Sequence, residues 1–225
     1  MKAWIISDTH NHHLQLSVPV DVDLVVHCGD ESDTGDLALN AKESQAFFEW
    51  YSALSVPNKI FVPGNHSIAI EQGLINPADF PKIQFLIHAE TRIEGWRIFG
   101  SPFTPEFFNW AYMKTKRELA NLWQSIPQGI DLLITHGPPK GIKDLTHDMA
   151  NQRMIHVGCP SLARHVRDRI SPRLHAFGHI HDESDIGNFG TKIVGDTMYA
   201  NCACCDLEGR IQHNGIIVDL EELPA

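Results

Sequence analysis

Short apolar runs, partly β-branched, recur along the chain at residues 3–6, 24–26, 59–62, 132–135 and 174–177. Each is mainly apolar at consecutive positions and too brief for an ordinary helix, which is how strands covered on both faces read. Between them the spacing changes. Over 37–54, Phe47, Trp50, Tyr51 and Leu54 fall at i, i+3, i+4 and i+7, one side of a helix, and Asp36 stands where an N-cap belongs. Further helices are expected over 114–123 and 160–170, the second opened by Pro160, a residue suited to a first helical turn. Strand and helix alternate up to about residue 180, and a strand-richer tail follows over 191–220. The pattern predicts an α/β fold class.

The polar residues that follow each apolar run are more telling than the runs. They are Asp8-Thr9-His10, Gly29-Asp30, Gly64-Asn65-His66, His136-Gly137 and Gly178-His179-Ile180-His181. All five junctions carry metal-ligand side chains. Loops at the carboxyl ends of strands gather in one crevice in open α/β sheets, so the five are expected to converge. Singly they are weak signals, because Gly-Asp after a strand is usually a turn and Asn-His a loop pair. The ordered set carries the weight. With fourteen histidines some fall near strand ends by chance, and His12, His13, His27, His88, His147, His156, His165, His175 and His213 are read as surface or core residues.

Length and charge narrow the function. At 225 residues the chain can bury a sizeable core and still form one domain, so residues 1–225 are read as a single unit. Hydrophobic residues make up 43% and charged residues 20%, with no low-complexity tract, which excludes disordered and fibrous classes. The apolar start of the chain ends at Ser7-Asp8, too soon for a signal peptide or a membrane span, so a cytoplasmic protein without membrane association is expected. Five cysteines, an odd and sparse set, fit reduced thiols. A net charge of -10 argues against non-specific nucleic-acid binding and favours a small substrate. If that substrate is a phosphate anion, positive charge has to come from something other than lysine and arginine, and metal ions supply it.

The series D-x-H, GD, GNH, H-G and GHxH resembles the signature of calcineurin-like metallophosphoesterases, and the resemblance spans most of the chain. The stretches GSPFTPEFF (100–108), GIDLLITHGPP (129–139), VGCPSL (157–162) and RLHAFGHIHDE (173–183) resemble the metallophosphoesterase-domain-containing phosphodiesterases in particular. The resemblance implies a four-layer α-β-β-α sandwich of two mixed sheets flanked by helices. It also implies two divalent or mixed-valence metal ions. One would be held by Asp8, His10, Asp30 and His181, the other by Asp30, Asn65, His136 and His179, with Asp30 as bridge. His66 is the family position beside the phosphate and leaving group, and Asp33 would orient and charge it.

Imidazole, carboxylate and amide donors without thiolate suit Mn²⁺ or Fe, with Zn²⁺ also admissible. Two such ions would leave a net positive hole beside Asp8 and Asp30, and would lower the pKa of bound water toward about 7, so that a metal-bound hydroxide attacks phosphorus. The resulting expectation is a phosphodiesterase for small or cyclic nucleotide-type esters. A broad phosphomonoesterase or protein phosphatase is the alternative, although Asp33 is followed by Thr34 where protein phosphatases carry arginine. A non-catalytic phosphoester-binding protein is a third reading, opposed by the retention of every ligand position.

Two features stay open at this level. Phe103, Phe107, Phe108, Trp110 and Tyr112 form an aromatic segment that is either a lid stacking a nucleobase or a plug completing the core. Cys202, Cys204 and Cys205 lack the second pair that a zinc site needs, and they are assigned with Cys28 to packing.

Overall fold

Side-chain alternation along the strands sorts the apolar residues into three buried clusters, and these define the layers. The computed structural model describes residues 1–183 and 186–224. In the strand Lys2–Ile6, Ala3 and Ile5 join one cluster while Trp4 and Ile6 join another. Leu24 and Val26 share the first cluster and Val25 the second. In Leu132–Thr135, Leu132 and Ile134 enter the first cluster again, but Leu133 enters a third. The first cluster is therefore sandwiched between two sheets, and the other two lie on their outer faces.

The first sheet runs in the order Ile216–Asp219, Lys2–Ile6, Leu24–His27, Asn58–Phe61, Gln84–Phe85, with only the first of these antiparallel to its neighbour. The second runs Gly190–Val194, Thr197–Asn201, Leu174–Phe177, Leu132–Thr135, Trp96–Ser101, Ala89–Ile93, parallel at its centre and antiparallel at both edges. Both sheets are mixed. Helices α1 (Leu37–Ala53) and α2 (Ile68–Glu71) cover the first, through Phe47, Phe48, Tyr51 and Ala69. Helices α3 (Lys116–Ser125) and α4 (Pro160–His165) cover the second, through Leu119, Trp123 and Leu162.

Local chemistry explains the helix limits. The Asp36 carboxylate accepts from Leu39 N at 2.9 Å, the cap the sequence predicts. Helix α3 begins later than the pattern suggests because Thr115 is its cap: Thr115 Oγ1 accepts from Glu118 N, and Glu118 Oε2 accepts from Thr115 N at 2.9 Å. The helix expected over 160–170 does not continue as one α-helix. It widens into a π-turn at Val166–Ile170, where Arg169 donates to the carbonyls of Trp123 and Ile126 at the end of α3. The tail carries the strands Thr197–Asn201 and Ile216–Asp219, separated by a long non-strand stretch. All five cysteines are buried and unpaired. Cys202 packs between the sheets and Cys204 on the outer face of the first, in keeping with a packing role.

Candidate metal centre

Each of the five junctions leaves a central parallel strand at its carboxyl end, and backbone hydrogen bonds tie the loops to one another. Asp8 N donates to Gly29 O at 2.9 Å, Thr9 N to Asp30 O at 3.0 Å and Gly178 N to His136 O at 2.9 Å. Asp8, His10, Asp30 and His179 all have left-handed backbones, with φ of 51°, 39°, 62° and 68°. Non-glycine residues in that region cost about 1–3 kcal/mol each and persist where the surroundings impose them. The glycines of the motifs have a steric basis: a methyl group on Gly64 would overlap the Asp30 carboxylate, and one on Gly178 would overlap that of Asp8.

Asp8, His10 and His181 form one cluster. His10 Nε2 lies 3.2 Å from His181 Nε2, and His181 Nε2 lies 3.3 Å from Asp8 Oδ1. The far side of each ring is anchored, His10 Nδ1 to the Ser32 carbonyl at 3.1 Å and His181 Nδ1 to the Asp206 carbonyl at 3.0 Å. A carbonyl can only accept, so Nδ1 carries a proton on each ring and Nε2 is the atom that faces inward. Without metal a proton on His181 Nε2 bridges to Asp8; a divalent cation in its place would be met by two imidazole lone pairs and a carboxylate oxygen, with the far-side anchoring that ligand histidines need. The donor set fits a divalent cation.

Asp30, His136, His179 and Asn65 form the second cluster. His136 Nε2 is 2.9 Å from Asn65 Oδ1 and 3.3 Å from Asp30 Oδ2, and His136 Nδ1 donates to the Cys28 carbonyl at 2.9 Å. The His179 and His136 rings are 4.9 Å apart. Burial opposes a charge on His136, yet the adjacent Asp30 carboxylate holds its pKa up at about 9. Burial opposes the charge on Asp30 too, but His136 and His66 keep its carboxyl well below the usual range. Burial and His136 together push His179 down to about 3. Without metal, a proton on His136 thus supplies the positive charge that these donors require.

His66 borders both clusters. Its backbone N donates to Asp30 Oδ1 at 2.7 Å, and its ring stacks on Trp110 with centroids 4.2 Å apart. Asn40 of α1 holds its carbonyl at 2.7 Å. Its Nδ1 lies 2.8 Å from the carbonyl of Asp33, not from the carboxylate. The Asp33 side chain is 68% exposed, and its carboxylate stands 3.6 Å from His10 Nδ1. The chain has turned at this point toward the α1 cap, so the main chain of Asp33 seats the His66 ring. Ser67, beside His66, links the buried Glu31 carboxylate at 2.6 Å to Gly64 N at 2.9 Å and so braces the GNH turn.

The anchoring carbonyls of Cys28, Ser32 and Asp206 leave no trace in sequence, because any residue supplies one. The Trp110 stack leaves a partial trace in the aromatic segment, which serves two purposes: Tyr112 is buried, whereas Phe107 and Phe108 are 63% and 83% exposed at the cleft.

A family model described as calcineurin-like phosphoesterase matches residues 1–183. The chain belongs to that family. It is 31% identical over 240 residues to Metallophosphoesterase domain-containing protein 1 of Homo sapiens, a match covering 96% of this chain and 69% of the human one. Among solved structures, Phosphopantetheinyl Hydrolase (PptH) from Mycobacterium tuberculosis is similar with a TM-score of 0.62 at 14% identity, covering 92% of this chain and 90% of that one. TT1561 of Thermus thermophilus gives 0.61 at 14% identity, covering 98% and 94%. These two establish the fold, a sandwich of two mixed sheets between helices. The phosphoesterase is a metal-dependent hydrolase of phosphoester bonds, and its family uses divalent metal ions. No described helix is long and apolar enough to cross a membrane.

Proposed function

We propose that this phosphoesterase is a phosphodiesterase acting on small or cyclic nucleotide-type esters. Asp8, His10, Asp30 and His181 would hold one divalent ion, and Asp30, Asn65, His136 and His179 the other, with Asp30 shared. Bound there, the ions supply positive charge for a phosphate anion and acidify a water for attack on phosphorus. Borderline and hard donors favour Mn²⁺ or Fe, with Zn²⁺ also admissible. His66, seated by the Asp33 carbonyl and stacked on Trp110, keeps Nε2 free to donate a proton to the departing oxygen.

The diester reading is carried by one observation. The metal cleft, about 610 Å³, is lined among the described residues by five of the seven ligand side chains (His10, Asp30, Asn65, His179 and His181) and by Asp33, His66, Phe107, Phe108, Trp110, Leu207, Glu208 and Gly209, without a lysine or arginine. A monoester dianion carries more charge than a diester monoanion and gains more from such a cation. Pairing of Lys2–Ile6 with Ile216–Asp219 supports one domain over residues 1–225, and buried unpaired thiols suit the reducing cytoplasm. The test compares bis(4-nitrophenyl) phosphate with 4-nitrophenyl phosphate, and 2′,3′-cyclic AMP with AMP, at equal Mn²⁺. Higher kcat/KM for the diesters is expected, and a strong monoester preference overturns the reading.

A further inference from the structure

A second cavity, about 530 Å³, adjoins the metal cleft and plays no part in the chemistry described above. The two spaces share Phe107, His179, His181 and Leu207, so they meet at the GHxH loop. Away from that loop the walls are apolar, formed by Phe103, Pro105, Pro138, Val157, Cys159 and Leu162. Apart from histidine, the ionisable side chains among its described lining residues are Glu106, Glu183 and the buried Cys159 thiol. Glu183 accepts from Thr146 Oγ1 at 3.3 Å, which holds it at the wall.

We infer that this cavity receives the second ester substituent of the substrate, and that the substituent is uncharged and largely apolar. The inference rests on the diester reading, since a diester carries such a group in addition to its leaving group. A phosphate centred between the two ligand clusters directs a substituent past His179 and His181 into the adjoining space. There apolar walls favour apolar surface, and two carboxylates oppose a further anion. The volume lies within the roughly 300–1,000 Å³ of small-molecule pockets.

Calorimetric titration of the Mn²⁺-loaded protein with methyl-, butyl- and hexylphosphonate tests this directly. Affinity is expected to rise by about fourfold per buried methylene. A carboxylate at the end of the hexyl chain should cancel the gain. Phe107 and Leu207 are 63% and 62% exposed, so Phe107→Ser with Leu207→Ser leaves the core intact and should lower the gain per methylene, since the inner walls remain but the shared rim is polar. Affinity that ignores chain length, or a gain left undiminished by the double substitution, overturns the assignment. Tighter binding of adenosine 5′-phosphate than of hexylphosphonate overturns it in favour of a hydrogen-bonding base. Alkyl 4-nitrophenyl phosphates of the same chain lengths, assayed in parallel, separate the two claims. If phosphonate affinity rises with length but no diester is turned over, the diester reading fails and the apolar pocket stands. Diester turnover and phosphonate affinity that are both indifferent to length reject the pocket alone.

Discussion

The ion pair between His136 and Asp30 should make the metal-free and metal-loaded proteins respond to pH in opposite directions. His136 is fully buried and lies 3.3 Å from Asp30, and its pKa stands at about 9 in the folded chain. In the unfolded chain it returns to about 6.5. A group whose pKa is raised by folding stabilises fully below the unfolded value and loses that stabilisation as pH rises through the folded one. At about 1.4 kcal/mol per pH unit, the interval from about 6.5 to about 9 corresponds to roughly 3 kcal/mol. For a domain of this size that is roughly 6–12 °C in Tm. His181, also raised through its bond to Asp8 against the effect of burial, acts in the same sense. The depressed pKa of Asp30 does not enter this window, because it stabilises above the unfolded carboxyl value and is lost only in acid.

On the acid side the sign reverses. Burial pushes His27, His175 and His179 down to about 3, so unfolding takes up protons below about pH 6.5 and stability falls as pH falls. Chelator-treated protein should therefore be most stable near pH 6.5 and melt lower at pH 9. Protein saturated with Mn²⁺ should melt higher at pH 9 than at pH 6.5, because the proton that competes with the metal on His136 has left. Thermal scans of both forms at constant ionic strength supply the measurement. A chelated protein whose Tm is flat or rises between these two values refutes the assignment of that proton to His136.

Other substitutions divide the roles further. His66→Ala should lower turnover by about 10²- to 10⁴-fold while leaving metal content intact, whereas Asp30→Ala should empty the site; equal metal loss by elemental analysis rejects that division. Gly178→Ala places a methyl against the Asp8 carboxylate and Ser7, and should cost about 1–3 kcal/mol together with metal, so wild-type Tm and metal content in this variant count against the steric reading. Trp123→Ala removes a fully buried side chain whose Nε1 donates to Cys159 Sγ, and should lower the unfolding free energy by about 3–5 kcal/mol, read as a lower denaturant midpoint with the m value unchanged.

The five central strands were legible because each is buried on both faces and so reads as a short, mainly apolar run, broken only by single polar residues such as Lys59 and His175. Ala89–Ile93 and Trp96–Ser101 were not: Glu90, Arg92 and Arg97 break the run, since this antiparallel edge has one partly exposed face and its charges pair across it, Arg97 Nε to Glu90 at 2.7 Å. The ligand-type side chains were legible from their place after strand ends, a rule of topology that needs no distances. What sequence could not show is which atom does the work. Asp33 was selected as a carboxylate and seats His66 with its carbonyl, and Cys28, set aside as packing, anchors His136 in the same way. Main-chain groups are common to all residues, so only the folded chain assigns them.

The backbone N of His179 donates to the Asp8 carboxylate at 2.9 Å across 171 positions of chain. Neither cluster can close until the two sheets have docked, and docking of such distant segments is slow. Tight metal capture is then a property of the finished sandwich and not of either half. Bound Mn²⁺ would keep time for the folding reaction, appearing only after the sheets have met.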